Sequence, residues 1–205
     1  SQIMHRPLIK YTLGGALGLF ALPLGIQLVG SMGPLPRNDL AETFWDKGMR
    51  LVTDPDGIPI KAADVSKGSV FHVLPEGINE AEHPLDEKAK ASVLLMRLNP
   101  EDIKSDKQRE WGYEGIVAYS KICTHVGCPV ALYEQQTRHL LCPCHQSTFD
   151  LGDAGKVVFG PAARALPQLP ITVDDEGYLI ATEDFEIPVG PSYPERKHHI
   201  HDKGE

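Results

Sequence analysis

Six side chains able to bind a soft metal fall in two short segments, Cys123-Thr124-His125-Val126-Gly127-Cys128 and Cys142-Pro143-Cys144-His145-Gln146-Ser147. All the cysteines of the chain lie between Cys123 and Cys144. A clustered, even set of this kind points to one local site rather than to disulfides spread through a fold. Thiolate and imidazole together are the ligands of zinc and of iron–sulfur chemistry. A structural zinc site usually pairs C-x-x-C with a second knuckle of similar spacing, whereas here the loops read C-x-H-x-x-C and C-x-C-H. A four-ligand site leaves two of the six groups without a role. Joining one cysteine from each loop as a disulfide removes that surplus and leaves two Cys and two His. On spacing alone zinc stays open.

Both segments follow predicted strands, so both sit on loops that can meet at one end of a sheet. Short runs rich in β-branched residues predict strands at Ser69–Leu74, Ser92–Leu98, Gly115–Tyr119, His139–Leu141, Lys156–Val158, Leu169–Val173 and Tyr178–Ala181. Turn residues separate them, among them Asp56-Gly57, Gly152-Asp153-Ala154-Gly155 and Asp175-Glu176-Gly177. Pro100–Arg109 fits one short helix, and Ile78–Lys90 is too polar for a core strand and reads as a surface excursion. The fold class is mostly β, without internal repeats.

The N-terminal part has a different character. Tyr11–Gly30 is twenty residues without a charge, with only Thr12 and Gln27 polar, and a helix of that length spans roughly 30 Å, the core of a bilayer. A buried core helix would show a polar face, and a cleaved signal would show small residues at its cleavage site; this run shows neither. Pro23 and five glycines soften the helix, which a bilayer tolerates. Arg6 and Lys10 precede the span and Arg37 follows, which leans toward a cytoplasmic N-terminus with the rest of the chain outside. The chain divides into a flank and transmembrane helix at 1–30, a Gly/Pro-containing linker or hinge at 31–44, a head at 45–190 and a polar tail at 191–205. Opening at Ser1 rather than Met, it reads as part of a longer or processed product. The net charge of -8 excludes a nucleic-acid partner, because no basic surface is available to phosphates. His198, His199 and His201 lie in the polar tail, while His5, His72, His83 and His139 lack partners at ligand spacing; Trp45 and Trp111 read as packing residues.

The pattern C-T-H-x-G-C with C-P-C-H-x-S resembles the high-potential Rieske proteins of cytochrome bc complexes, over about 119–162. The resemblance implies two antiparallel sheets in a β-sandwich head with a small cluster-binding subdomain, and a 2Fe-2S cluster. Cys123 and Cys142 then match the thiolate ligands of the buried iron, and His125 and His145 the imidazole ligands of the outer iron. Cys128 and Cys144 match the disulfide joining the loops. Ser147 matches a hydroxyl that hydrogen-bonds a bridging sulfide, and Gly160-Pro161-Ala162 resembles the proline loop closing the third side. Gln146 departs from the family, which usually has glycine there. Phe149 stands where mitochondrial-type members carry a tyrosine that donates to a ligand sulfur.

The resemblance implies the iron–sulfur subunit of a quinol–cytochrome c reductase, an oxidoreductase complex, with cytochrome b and a c-type cytochrome as partners. His145 is then the imidazole expected to face quinol, with His125 beside it. The missing tyrosine hydroxyl lowers the expected potential within the Rieske range of roughly -150 to +300 mV, favouring menaquinol over ubiquinol. The expected location is a bacterial cell membrane, head on the outer face. The alternative is a small Rieske subunit of a molybdenum oxidase such as arsenite oxidase. Soluble Rieske ferredoxins and ring-hydroxylating oxygenases normally lack the extra cysteine pair and the membrane span. His5-Arg6-Pro7-Leu8-Ile9-Lys10 also falls in register with the twin-arginine export pattern, with His5 replacing the first Arg; plain interfacial anchoring is the other reading. Actinobacterial Rieske subunits resemble this arrangement, with further helices upstream.

Overall fold

The computed structural model describes residues 6–32 and 40–191, and the chain forms two compact units, Ser1–Arg37 and Asn38–Glu205. Among the described residues, the first unit is one helix, α1 (Pro7–Ser31). Pro7 sits at its start, where the absent N–H would have lacked a partner in any case. Thr12 turns its hydroxyl back onto the Leu8 carbonyl at 2.9 Å, so even this polar group is satisfied within the helix. Its 25 residues have a mean hydropathy of 1.7 over the most apolar window, and none is buried in protein. The helix is long and apolar enough to cross a membrane. His5, Gly33, Pro34, Pro36, Arg37 and the tail histidines lie outside the described residues.

The second unit is built on a five-stranded antiparallel sheet in the order β1 (Leu51–Thr53), β2 (Val70–Pro75), β3 (Val93–Arg97), β4 (Ile116–Ser120) and β9 (Gln168–Leu169). A four-stranded antiparallel meander, β5 (Leu132–Glu134), β6 (His139–Leu141), β7 (Thr148–Asp150) and β8 (Lys156–Phe159), forms a separate smaller sheet. A hairpin of β10 (Ile171–Val173) and β11 (Leu179–Ala181) completes the β structure. The helices of this unit are short: α2 (Pro84–Ala91) and α3 (Asp106–Glu110).

Strands β3 and β4 position everything else. Successive side chains of a strand point to opposite faces, so Val93, Leu95, Ile116 and Ala118 enter one core while Leu94, Met96, Val117 and Tyr119 enter a second. A sheet buried on both faces reads as a continuous apolar run rather than an alternating one, which is what VLLM and IVAY are. The first core is closed by Trp45, Leu179 and Phe185. The second contains Cys123, Leu140, Cys142, Phe149 and Leu166, so the two Cys/His segments grow directly out of packed apolar structure.

Several local expectations are corrected. Leu169–Val173 is two strands, because Pro170 has no N–H to continue a ladder; β9 pairs with β4 and β10 with β11. Pro100–Arg109 is a 3-10 turn at Pro100–Asp102 followed by α3, which restarts where the Ser105 side chain accepts from the Gln108 N–H. Ile78–Lys90 is the expected surface excursion, and it holds a 3-10 turn and most of α2. Within the expected linker, Ala41 is buried and Thr43 gives its N–H and hydroxyl to Asp184 at 2.8 and 2.6 Å.

Candidate metal centre

The two loops are the same six-residue turn built twice. In the first, which follows β4, the Cys123 N–H donates to the Cys128 carbonyl at 2.8 Å and the Gly127 N–H to the Cys123 carbonyl at 3.0 Å. In the second, which joins β6 to β7, the Cys142 N–H donates to the Ser147 carbonyl at 2.8 Å and the Gln146 N–H to the Cys142 carbonyl at 3.0 Å. The fifth residue of each turn has positive φ, 85° at Gly127 and 61° at Gln146. Glycine adopts that region freely and glutamine does not, so Gln146 keeps the glycine-like backbone at a cost of about 1–2 kcal/mol.

The turns place thiols inside and imidazoles outside. Cys123 and Cys142 are free and buried, at the edge of the second core. His125 is half-buried and His145 exposed, with ring centroids 4.8 Å apart and planes nearly perpendicular. Cys128 and Cys144 form a disulfide that ties one loop to the other, with Cα atoms 6.5 Å apart. Their sulfurs lie within 4.8 Å of the Cys142 sulfur.

A third segment closes the site. Gly160 has φ 90°, and a Cβ there would sit 2.6 Å from the Ser147 Cα, so only glycine brings this backbone against the second loop. Pro161 follows it, exposed. The Ala162 N–H then donates to the Ser147 hydroxyl at 3.1 Å, fixing a side chain that is fully buried. Phe149, one residue into β7 beyond Thr148, is completely buried opposite Leu140.

The donor set fits a Rieske cluster. His125 Nδ1 is buried with no hydrogen-bond partner among the described residues, an orphaned acceptor aimed where no protein group satisfies it. Burial pushes the Cys123 thiol up, partly countered by the backbone N–H of His125 and the Ser147 hydroxyl; the nearby Cys142 raises it further. Thiolates in such a place need a bound cation. His72, His83 and His139 do not join the group: they lie on β2, at the start of α2 and on β6.

Two groups escaped sequence reasoning. The Thr124 hydroxyl donates to the Arg164 carbonyl at 2.7 Å, linking the first loop to the segment after Pro161. Gln108 of α3 is fully buried; it donates to the Leu151 carbonyl and accepts from the Ala154 N–H at 2.9 Å, anchoring the β7–β8 turn. Neither lone polar residue carries a sequence signal, because its meaning comes from a partner far along the chain.

Fold and site together define a Rieske protein: a description of that family, Rieske 2Fe-2S domain, matches residues 95–170. The chain is similar to cytochrome bc1 complex Rieske iron-sulfur subunits of Streptomyces coelicolor and Streptomyces lividans. It is 54% identical to the first over 96% of this chain and 56% of that one, and 57% identical to the second over 80% and 98%. It is 36% identical to the subunit of the same name in Mycobacterium tuberculosis, over 96% of this chain and 54% of that one. It belongs to the family of cytochrome bc1 complex Rieske iron–sulfur subunits, and its cofactor is a Rieske 2Fe-2S cluster. The chain spans about half the length of the S. coelicolor and M. tuberculosis relatives.

Proposed function

We propose that this chain is the electron-accepting subunit of a menaquinol–cytochrome c reductase, with Cys123, His125, Cys142 and His145 as the cluster ligands and His145 as the imidazole that meets quinol. The observation that carries the reading is the layering of the site: two buried thiols beneath a half-buried and an exposed imidazole. When bound, the cluster supplies a one-electron acceptor in the Rieske range of roughly -150 to +300 mV.

The residues supply the rest. An exposed His145 ring can accept a hydrogen bond from a quinol hydroxyl. His125, packed edge-on at 4.8 Å, fixes the orientation of that ring. Apolar residues flank the ligands: Val126 is 54% and Phe159 64% exposed, which suits contact with an apolar quinol-binding surface on cytochrome b. The disulfide belongs on an oxidising side of the membrane, so the head is assigned to the outer face, with α1 as anchor. Of the expected hinge at 31–44, Ala41 and Thr43 are fixed to the head, so the stretch before Ala41 is assigned the movement that lets the head serve cytochrome b and a c-type haem in turn. Phe149 is assigned a tuning role, since without a phenolic donor to a ligand sulfur the site is poised for a low-potential quinol. None of the relatives named above is a molybdenum oxidase subunit, and no feature of the site favours that alternative.

The test is a redox titration of the purified protein followed by EPR, together with co-purification from membranes. A Rieske signal in a complex with cytochrome b that oxidises menaquinol is expected. Co-purification with a molybdenum subunit instead would overturn the reading.

A further inference from the structure

Arg164 lies just after the Gly160-Pro161 segment and has no acidic partner among the described residues. Its Nη2 donates to the carbonyls of Pro188 and Gly190, the latter at 2.6 Å. Its Nε and Nη1 are buried with no hydrogen-bond partner among the described residues. Burial lowers the affinity of the guanidinium for its proton, but arginine starts so high that it stays charged. A half-buried cation answered only by carbonyl dipoles is a costly arrangement for stability alone.

The surroundings place that charge behind the first ligand loop. The Arg164 carbonyl accepts from Thr124, the residue between Cys123 and His125. The strap that Arg164 grips packs on the same loop: a Cβ at Gly190 would lie 3.0 Å from Ile122, and one at Gly127 would lie 3.4 Å from Pro191. One residue thus joins the proline segment, the C-terminal strap and the loop carrying two ligands.

We propose that Arg164 is a positioning and tuning residue for the cluster, holding the first ligand loop against the strap at Pro188–Pro191 while its half-buried positive charge favours the reduced state. Two ferric ions, two sulfides, two thiolates and two neutral imidazoles sum to zero charge, and reduction by one electron leaves one negative charge. A fixed cation nearby therefore stabilises the reduced form selectively, and less screening reaches it than would reach a surface charge. The inference rests on the cluster assignment above, and the EPR signal separates the failure of one from the failure of the other.

The experiment is a midpoint titration of the full chain, cluster-loaded, in wild type, Arg164→Gln, Arg164→Met and Arg164→Lys. At a fixed ambient potential the reduced-to-oxidised ratio should fall about threefold to tenfold in the two neutral variants, and stay within about twofold in Arg164→Lys. Tenfold corresponds to a midpoint about 59 mV lower. If both neutral variants lose the cluster while Arg164→Lys keeps it at the wild-type midpoint, the need for a charge is upheld. A neutral variant with an intact Rieske signal and unchanged midpoint overturns the proposal, as does a lysine variant that shifts as far as glutamine. Loss of the cluster in all three also overturns it, reducing Arg164 to packing. A wild-type protein without any Rieske signal defeats the cluster assignment instead.

Discussion

Gly127 and Gln146 hold the same place in two copies of one turn: each donates its N–H to the carbonyl of the buried cysteine four residues before it, at 3.0 Å, and each has positive φ. One of the pair is the residue this backbone favours, and the other is not. Gln146→Gly should therefore raise the unfolding free energy by about 1 kcal/mol without altering the EPR spectrum, since Gln146 presents no ligand atom. Gln146→Val should lower it, because a branched Cβ suits this conformation least. Thermal unfolding of the two variants reads both effects.

His125→Ala and His145→Ala should each abolish the Rieske signal. Each change removes one imidazole from the outer layer and leaves the other without its edge-on neighbour. The iron and sulfide content of the purified variants gives the answer, and an intact spectrum in either would sink the ligand assignment.

Cys128→Ser should spare the sheets and loosen the site. The disulfide closes a stretch of 16 residues between the two Cys/His loops, worth about 3 kcal/mol by loop closure, while β3 and β4 keep both their cores. Far-UV circular dichroism should stay unchanged and cluster loss to a chelator should quicken. Two free thiols in the native, unreduced wild type would contradict the bridge.

Gly160→Ala should be more damaging than its size suggests. The added methyl meets the Ser147 backbone, which cannot swing away as a side chain would, and positive φ adds about 1–3 kcal/mol of strain. Moving Ser147 breaks the hydrogen bond from Ala162 and disturbs the second loop. Cluster occupancy after purification is the readout, with Pro161→Ala, whose ring is exposed, as the milder comparison.

Phe149→Tyr should raise the midpoint potential. A phenolic hydroxyl donating to a ligand sulfur would favour the more negative, reduced site by roughly 1–2 kcal/mol, or about 40–90 mV for one electron. Phe149 is fully buried, so the new hydroxyl must find a partner or destabilise the fold. An unshifted midpoint in a variant whose hydroxyl reaches the sulfur would remove Phe149 from the tuning residues.

What the sequence determined by itself was local. Ligand chemistry was legible because donor types and their spacing within each loop, from Cys123 to Cys128 and from Cys142 to Ser147, are properties of a few consecutive residues. The apolar helix was legible for the same reason, since Pro7–Ser31 needs no partner to satisfy its backbone. The longer strands β2, β3 and β4 stood out through their β-branched and apolar runs, whereas β1, β5 and β7, three residues each, offer little pattern to read, although β6 of the same length was anticipated at His139–Leu141. Tertiary structure alone decided the rest. It split Leu169–Val173 between two pairings and sent alternate residues of β3 and β4 into two cores. It set Gly160 against Ser147 and brought Arg164 behind Thr124. Those contacts join residues remote in the chain, and only the closure of the sheets determines which polar group ends up buried beside which ligand.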